Sequence, residues 1–514
     1  MRAWESLLLL ADLLAFLALS VRQVRGRLWM RSSPAVAFVA LGPLVMAAAQ
    51  WLAEGPRWQM LPAYALTVLF LLMGLHRNFA SPRRPPEQKR RRPMVTAAAN
   101  GLGSLALAVA VALPMVAPVF RFAPPTGPYA IGTLTYHWVD AARSEAFGAD
   151  PKVRRQLMVQ IWYPAPANST APRAAYMPDA DAVTAAFARI HDKPAFVFGH
   201  FKYVTTHARP SAPAAVDQPR YPVLLFMEGA TGFRQMNTFQ VEHLVSHGYI
   251  VVAIDQPGAA AAVVFPDGHE AAGLTLAQFH AMVRPSYMPG GTDPLKTSLL
   301  LPNGNTLHDN SIIPYLAQDV TFTLDKLAAL NLADSHGILA GKLDLQRVGT
   351  FGVSLGGIVV GEACRIDPRL RACLVMDAPM SAAVVKSGLQ QPGMWITRDA
   401  ASMRLERQRT GGWPDAEIEA HQSTMRAVYE GLSGDGYFVR VRGMFHSNLT
   451  DIARWTPLSR VLGLAGPIGE QRAHGIVNAY SLAFFDRHLL GRPAPLLDGP
   501  AKQYPEVLFE SHGP

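Results

Sequence analysis

The sequence predicts an α/β fold set behind an all-helical, membrane-spanning N-terminal quarter. Three observations carry that expectation. Residues 1–123 hold four long apolar stretches. From residue 124 onward, apolar runs of strand length alternate with amphipathic helical stretches, the pattern of a mostly parallel sheet covered on both faces. Between one such run and the next helix stands Gly352-Val-Ser354-Leu-Gly356, a G-x-S-x-G pentapeptide at a strand–turn–helix junction. Residues 1–123 are therefore expected as a transmembrane region of about four spans, and residues 124–514 as one catalytic domain.

The apolar stretches cover roughly residues 7–21, 35–53, 60–75 and 97–120. The second and fourth are long enough to cross a bilayer, and the first and third are shorter but carry amphipathic ends. Trp4, Trp51 and Trp58 fall near the expected interfaces, as an aromatic belt would. Only Arg2 precedes the first stretch and three more apolar stretches follow, so it reads as a span rather than a signal peptide.

The chain is 50% hydrophobic and 17% charged, with a formal net charge of +9. The basic excess is clustered. Arg22, Arg25, Arg27 and Arg31 follow the first stretch, and Arg77, Arg83, Arg84, Lys89, Arg90, Arg91 and Arg92 follow the third. The loop between them has only Glu54 and Arg57. The positive-inside rule puts the two basic loops in the cytoplasm, and both termini and the C-terminal domain on the extracytoplasmic side of a multi-pass membrane protein. These clusters read as topology determinants, not as a nucleic-acid surface. Asp12, the lone acid within the spans, is expected in a helix–helix hydrogen bond rather than on a transport pathway.

Pro124-Pro-Thr-Gly-Pro128 is expected to end the fourth helix and serve as the linker. Leu157–Tyr163 alternates and reads as an antiparallel leading strand. Tyr221–Met227, Gly248–Asp255, the run into Ser354, Ala372–Asp377 and Gly436–Val441 read as buried strands. Helices are expected near residues 235–247, 314–331, 357–364 and 476–489, and residues 165–220 and 256–310 as long irregular lids or binding loops. Cys364 and Cys373 lack any C-x-x-C or metal-like spacing and read as buried thiols, with a disulfide between them left open.

With 41 glycines in the chain, a bare G-x-S-x-G means little, and its strand–helix setting gives it weight. Gly352 and Gly356 leave room for a tight turn that exposes the Ser354 hydroxyl, and the helix beyond offers N–H groups and a positive dipole end. A serine nucleophile needs a histidine base, and the histidine needs a carboxylate. In this fold the chain order is Ser, acid, His. Asp377 ends the strand after Ser354, whereas the rival Asp255 precedes it. His446 follows a strand in a loop, whereas His474 and His488 lie in or near helices. The backbone N–H groups of Leu355 and Ala230 are the expected oxyanion donors.

Six islands together resemble a known family: Gly127-Pro-Tyr-Ala-Ile-Gly132, Gln160-Ile-Trp-Tyr-Pro164, Gly229…Gly232-Phe233-Arg234, Gly352–Gly357, Asp377-Ala378 and His446-Ser-Asn448. They are similar to the platelet-activating factor acetylhydrolases of the plasma and intracellular type II kind, members of the α/β-hydrolase superfamily related to bacterial esterases and polyester hydrolases. The resemblance extends over about residues 126–490. It implies an α/β-hydrolase fold, a triad on Ser354, Asp377 and His446, no metal or cofactor, and phospholipids with short or oxidised sn-2 acyl chains as substrates. The chain departs from the family in having Glu228 before the oxyanion glycine and Val353 before the serine, where histidines are frequent, and in its N-terminal spans.

The expected activity is that of a membrane-anchored serine ester hydrolase acting on an ester or phospholipid beside the bilayer. An amidase, peptidase or acyltransferase would use the same residues, and a non-catalytic ligand-binding domain on a membrane module is a rival of another class. The sequence does not predict an oligomeric state.

Overall fold

The computed structural model describes residues 1–24, 34–79, 93–148, 150, 152–288, 299–301, 303–307 and 312–513. The chain forms two compact units: Met1–Phe120 with Trp455–Leu458, and Arg121–Arg454 with Ser459–Pro514.

The first unit contains α1 (Ala3–Val24), α2 (Pro34–Glu54), α3 (Leu61–Phe79) and α4 (Pro93–Val116). Leu8, Ala15, Ala63, Phe70 and Ala110 meet in its core. Among the described residues, three stretches, Ala3–Ser20, Trp58–His76 and Ala97–Val116, are long and apolar enough to cross a membrane. The fourth apolar stretch, expected to reach residue 120, stops being helical at Val116, with Pro114 in its last turn and Pro118 just beyond. The break thus precedes the Pro124–Pro128 segment. Thr67 of α3 donates to Asp12 Oδ1 of α1 at 3.0 Å, the expected helix–helix bond. Glu54 and Arg57 belong to a paired cluster in which Arg57 Nε contacts Glu5 Oε1 at 2.6 Å and Arg2 N donates to Glu5 Oε2 at 2.8 Å. The side chains of Arg22 and Arg77, and the remaining basic residues of the first and third loops, lie outside the described residues.

The second unit is built on a ten-stranded sheet. Its strands are β1 (Ala130–Ser144), β2 (Arg154–Ala165), β3 (Ala208–Pro210), β4 (Tyr221–Met227), β5 (Ile250–Asp255), β6 (Leu343–Val353), β7 (Leu370–Met376), β8 (Gly393–Arg398), β9 (Gly436–Val441) and β10 (Val507–His512). Their order is β10-β9-β8-β7-β6-β4-β5-β2-β1-β3. From β9 to β5 neighbouring strands run parallel, while β2 pairs antiparallel with both β1 and β5. The leading strand is therefore antiparallel, as its alternation predicts.

Continuous apolar runs arise because both faces are buried. In β4, Val223, Leu225 and Met227 enter one core and Leu224 and Phe226 the other. The first core is closed by α8 (Ile312–Leu332) and α9 (Leu355–Ile366), through residues such as Leu316, Val320 and Val359. The second is closed by α6 (Thr238–Ser246) and α13 (Glu470–Leu490), through Val241, Leu244, Tyr480 and Phe484. Each such apolar side chain contributes about 1.5–3 kcal/mol on burial.

Several boundaries differ from expectation. The helix expected from residue 235 begins at Thr238, after a turn over residues 231–237. The strand expected from residue 248 begins at Ile250, because Gly248 turns the chain at φ +100°. The last helix starts earlier, at Glu470. The two long segments expected as irregular carry α5 (Ala180–Ile190) and α7 (Leu276–Val283). Residues 382–430 fold into α10 (Ala382–Ser387), β8, α11 (Ala400–Thr410) and α12 (Asp415–Glu430). Cys364 and Cys373 are free, buried thiols.

Candidate active site

Strands β4, β6, β7, β8 and β9 run in one direction, so the loops after them gather at one edge of the sheet. Ser354, Asp377 and His446 all arrive there and line one cavity of about 360 Å³.

Ser354 follows β6 and precedes α9, with φ +57° and ψ −123°. That conformation is strained for a residue with a Cβ. It is held by Ser354 N–H donating to Met376 O at 2.9 Å. The flanking glycines are a steric requirement. A Cβ on Gly352 would lie 2.4 Å from Gly356 O, and one on Gly356 would lie 2.1 Å from Met227 O. Gly356 is thus pressed against the end of β4, and Gly352 against the first turn of the following helix.

The loop after β4 runs over Gly229 and Ala230. A Cβ on Gly229 would stand 3.2 Å from Ser354 Cβ. Thr231 has φ +61° and its N–H donates to Ala259 O at 2.7 Å, which fixes the turn. Among the described residues, the N–H groups of Ala230 and Leu355 have no protein acceptor outside regular helix and strand bonding. Glu228 is buried beneath this loop, where burial and then the Asp255 carboxylate push its carboxyl well above the ordinary value. Asp255 itself is bound to Arg234, whose N–H donates to Asp255 Oδ1 at 2.6 Å.

Asp377 follows β7 with φ +49° and is 1% exposed. Its Oδ2 lies 2.5 Å from His446 Nδ1, and its Oδ1 accepts from Thr397 Oγ1 at 2.7 Å and from Arg398 N at 3.2 Å. Arg398 Nε lies 2.7 Å from the same Oδ2. Burial alone would raise the Asp377 carboxyl. Arg398, the His446 hydrogen bond and His421 outweigh burial and hold it well below the usual carboxylate range. His446 sits in a short 3-10 turn, His446–Leu449, pinned by Asn448 Oδ1, which accepts from Phe445 N at 2.9 Å and Gly466 N at 2.7 Å. Among the described residues no hydrogen bond joins Ser354 Oγ to His446; the two share the cavity wall. Catalytic hydrogen bonds are often long before substrate is bound.

The other candidates lie elsewhere. The His474 ring stacks on Phe239 at 3.7 Å and His488 Nε2 meets Tyr437 Oη at 3.1 Å.

Sequence reasoning missed five residues around Asp377: Thr397, Arg398, Glu406, Trp413 and His421. Arg398 ends β8, a short apolar run, and a cation closing such a run was the available signal. His421 Nε2 is 3.8 Å from Asp377 Oδ1, and burial pushes its imidazole down to about 4. Trp413 lies over the Arg398 guanidinium at 4.5 Å and edge-on to the His446 ring at 5.5 Å.

The site can be set beside known proteins. A family model described as platelet-activating factor acetylhydrolase, isoform II, matches residues 116–272. The platelet-activating factor acetylhydrolase of Canis lupus familiaris is 24% identical over 313 residues, covering 57% of this chain and 62% of that protein. The one from Cavia porcellus is 23% identical over 276 residues, covering 52% of this chain and 58% of that protein. The chain thus matches about three fifths of the length of these relatives. Among solved structures, a ferulic acid esterase from Streptomyces cinnamoneus matches with TM-score 0.57 and 27% identity, covering 76% of this chain and 99% of that chain. Together with the strand order and the turn at Ser354, this likeness makes the fold of the second unit that of the α/β-hydrolases.

Proposed function

We propose that this protein is a serine hydrolase of carboxylic esters, anchored to a membrane by its N-terminal helices, with residues 124–514 as the catalytic domain. The observation that carries the reading is one combination: Ser354 on a strained, glycine-flanked turn, sharing a cavity with a His446–Asp377 pair at 2.5 Å. His446 takes the Ser354 proton as Oγ attacks the ester carbonyl, and Asp377 orients and stabilises the imidazolium. The N–H groups of Leu355 and Ala230 receive the oxyanion, each worth about 3 kcal/mol in comparable sites. His446 then protonates the leaving alcohol, and water cleaves the acyl-enzyme by the reverse path.

The cavity wall includes Phe187, Phe279, Val283 and Trp413, which suits an apolar acyl group of limited length. The acetylhydrolase and ferulic acid esterase relatives both support an ester substrate. Short-acyl or oxidised phospholipids are the proposed class. Four spans, with the catalytic domain extracytoplasmic, are the proposed topology; impermeant labelling of single cysteines in the third loop and the catalytic domain tests it, and a cytoplasmic catalytic domain would overturn it.

The deciding experiment is fluorophosphonate labelling of the intact protein in membranes, wild type beside Ser354→Ala. Labelling of wild type alone is expected, followed by hydrolysis of short-acyl esters and phospholipids. Absence of labelling in folded wild type would overturn the reading. Product analysis with matched ester, amide and competing-alcohol substrates separates ester hydrolysis from amidase and acyltransferase chemistry.

A further inference from the structure

The carboxylate that faces His446 is itself held by a second ion pair, and that pair reaches the histidine by another route. Arg398 Nε stands 2.7 Å from Asp377 Oδ2, the oxygen that also receives His446 Nδ1 at 2.5 Å. The Arg398 Nη1 donates to Glu406 Oε2 at 2.5 Å, and the same Glu406 oxygen accepts the His446 backbone N–H at 3.1 Å. Arg398 is 2% exposed. The four residues thus close a ring: Asp377 to the His446 imidazole, His446 backbone to Glu406, Glu406 to Arg398, and Arg398 back to Asp377. Trp413 packs on both Arg398 and His446.

We propose that Arg398 and Glu406 are positioning residues of opposite electrostatic effect, which fix the Asp377–His446 geometry and set the basicity of His446 between them. The inference rests on the hydrolase reading above. Arg398 occupies the Asp377 oxygen that His446 uses, so its positive charge disfavours the imidazolium. Glu406 offsets that charge and holds the His446 main chain in place. In direct contact with the pair are Arg398 on β8, Glu406 on α11 and His421 on α12; His191, His280, Arg284 and Glu417 line the same cavity, and Arg409 lies over the neighbouring Phe445 ring.

The test is the rate constant of fluorophosphonate labelling of Ser354 against pH, in the full chain, for wild type, Arg398→Gln, Glu406→Gln and the double variant. The acid limb reports protonation of His446. Arg398→Gln is expected to move it up by about one pH unit, and Glu406→Gln to move it down by a smaller amount, because an opposite charge favours and a like charge disfavours the imidazolium. The double variant is expected near the wild-type limb position, with a lower plateau. A purely structural role would lower plateaus without moving the limbs in opposite directions. If Arg398→Gln and the double variant do not fold, as a buried carboxylate stripped of its cation risks, Glu406→Gln still decides: an acid limb that does not move down overturns the proposal. An unlabelled wild type overturns the hydrolase reading and this inference with it. A labelled wild type with unmoved limbs in the variants overturns this inference alone.

Discussion

Three buried arginine–aspartate pairs stand among the described residues of the second unit, and two of them, Arg155–Asp319 and Arg398–Asp377, are built differently. Arg155 and Asp319 are both fully buried. Arg155 Nε and Nη2 donate to the two Asp319 oxygens at 3.2 and 2.6 Å, and Nη1 donates to Glu145 Oε2 and Pro257 O, each at 2.9 Å. Asp319 accepts further bonds from Gln256 at 2.8 Å and Arg143 at 2.7 Å. Every nitrogen and oxygen of the two charged groups has a partner, and the pair ties the β1–β2 hairpin to α8. Arg398 and Asp377 are just as buried, yet Arg398 Nη2 has no hydrogen-bond partner among the described residues, and Asp377 shares an oxygen with a histidine on the cavity wall. A saturated pair fixes a fold. An unsaturated pair beside a cavity leaves electrostatic capacity for a neighbour whose charge changes, as the proposed function requires of His446.

The sharpest break between the two is asparagine substitution of each aspartate. On the proposed reading, Asp377→Asn lowers the labelling rate by about 10⁴-fold, because the amide supports the wrong His446 tautomer. Its melting temperature should fall as well, because Arg398 loses one of its two carboxylate partners. Asp319→Asn should affect stability alone: removing one partner of a buried pair costs about 3–5 kcal/mol of stability, read as a lower melting temperature, while the labelling rate per folded molecule stays at the wild-type value. If Asp377→Asn unfolds the protein and leaves the folded remainder active, the distinction fails.

A pH experiment sharpens it further. Burial lowers the His421 imidazole to about 4 from an ordinary 6.5, with Asp377 pulling partly back. Because the folded value lies below the unfolded one, the native state binds fewer protons between them. The stability contribution is complete above about 6.5 and is lost as pH falls towards about 4. His421→Leu should remove that slope, so that wild-type stability falls relative to the variant by about 3 kcal/mol over this window. Asp319 has no histidine among its hydrogen-bond partners in the described residues, so Asp319→Asn should leave the slope in place. Melting temperatures across the window check both.

What the sequence disclosed follows from how local each signal is. Tyr221–Met227 and Gly436–Val441 were legible to the residue, since a strand buried on both faces is apolar at nearly every position, with Arg440 the charged exception. The G-x-S-x-G turn was legible because its glycines answer to contacts within a few residues of Ser354 or at the end of one neighbouring strand. Asp377 and His446 followed from strand ends and chain order, and the structure brings both to the Ser354 cavity. Glu406 and His421 were not legible, and Arg398 only as a cation closing a short apolar run, because their meaning lies in partners on separate elements: Arg398 on β8, Glu406 on α11 and His421 on α12 converge only through the sheet order. β1 was missed as well. Its Leu134, Tyr136 and Trp138 alternate as a strand should, but the Gly/Pro-rich segment before them drew the reading towards a linker.

The smallest effect tests how finely Asp377 is held. Thr397 Oγ1 donates to Asp377 Oδ1 at 2.7 Å, and the Arg398 backbone N–H donates to the same oxygen at 3.2 Å. Thr397→Val keeps the β-branched shape that β8 accommodates and removes one donor to a buried carboxylate. A hydrogen bond to a charged group is worth about 1.5–3 kcal/mol. The remaining backbone donor, and the Arg398 charge on the other oxygen, should keep the loss at the lower end. The melting temperature should therefore drop modestly and the labelling rate by roughly tenfold, equivalent to about 1.4 kcal/mol. Because neither the Arg398 nor the Glu406 charge changes, the acid limb should hold its position. A limb that moved as far as in Arg398→Gln would mean that loosening the carboxylate, not removing the cation, sets the basicity of His446.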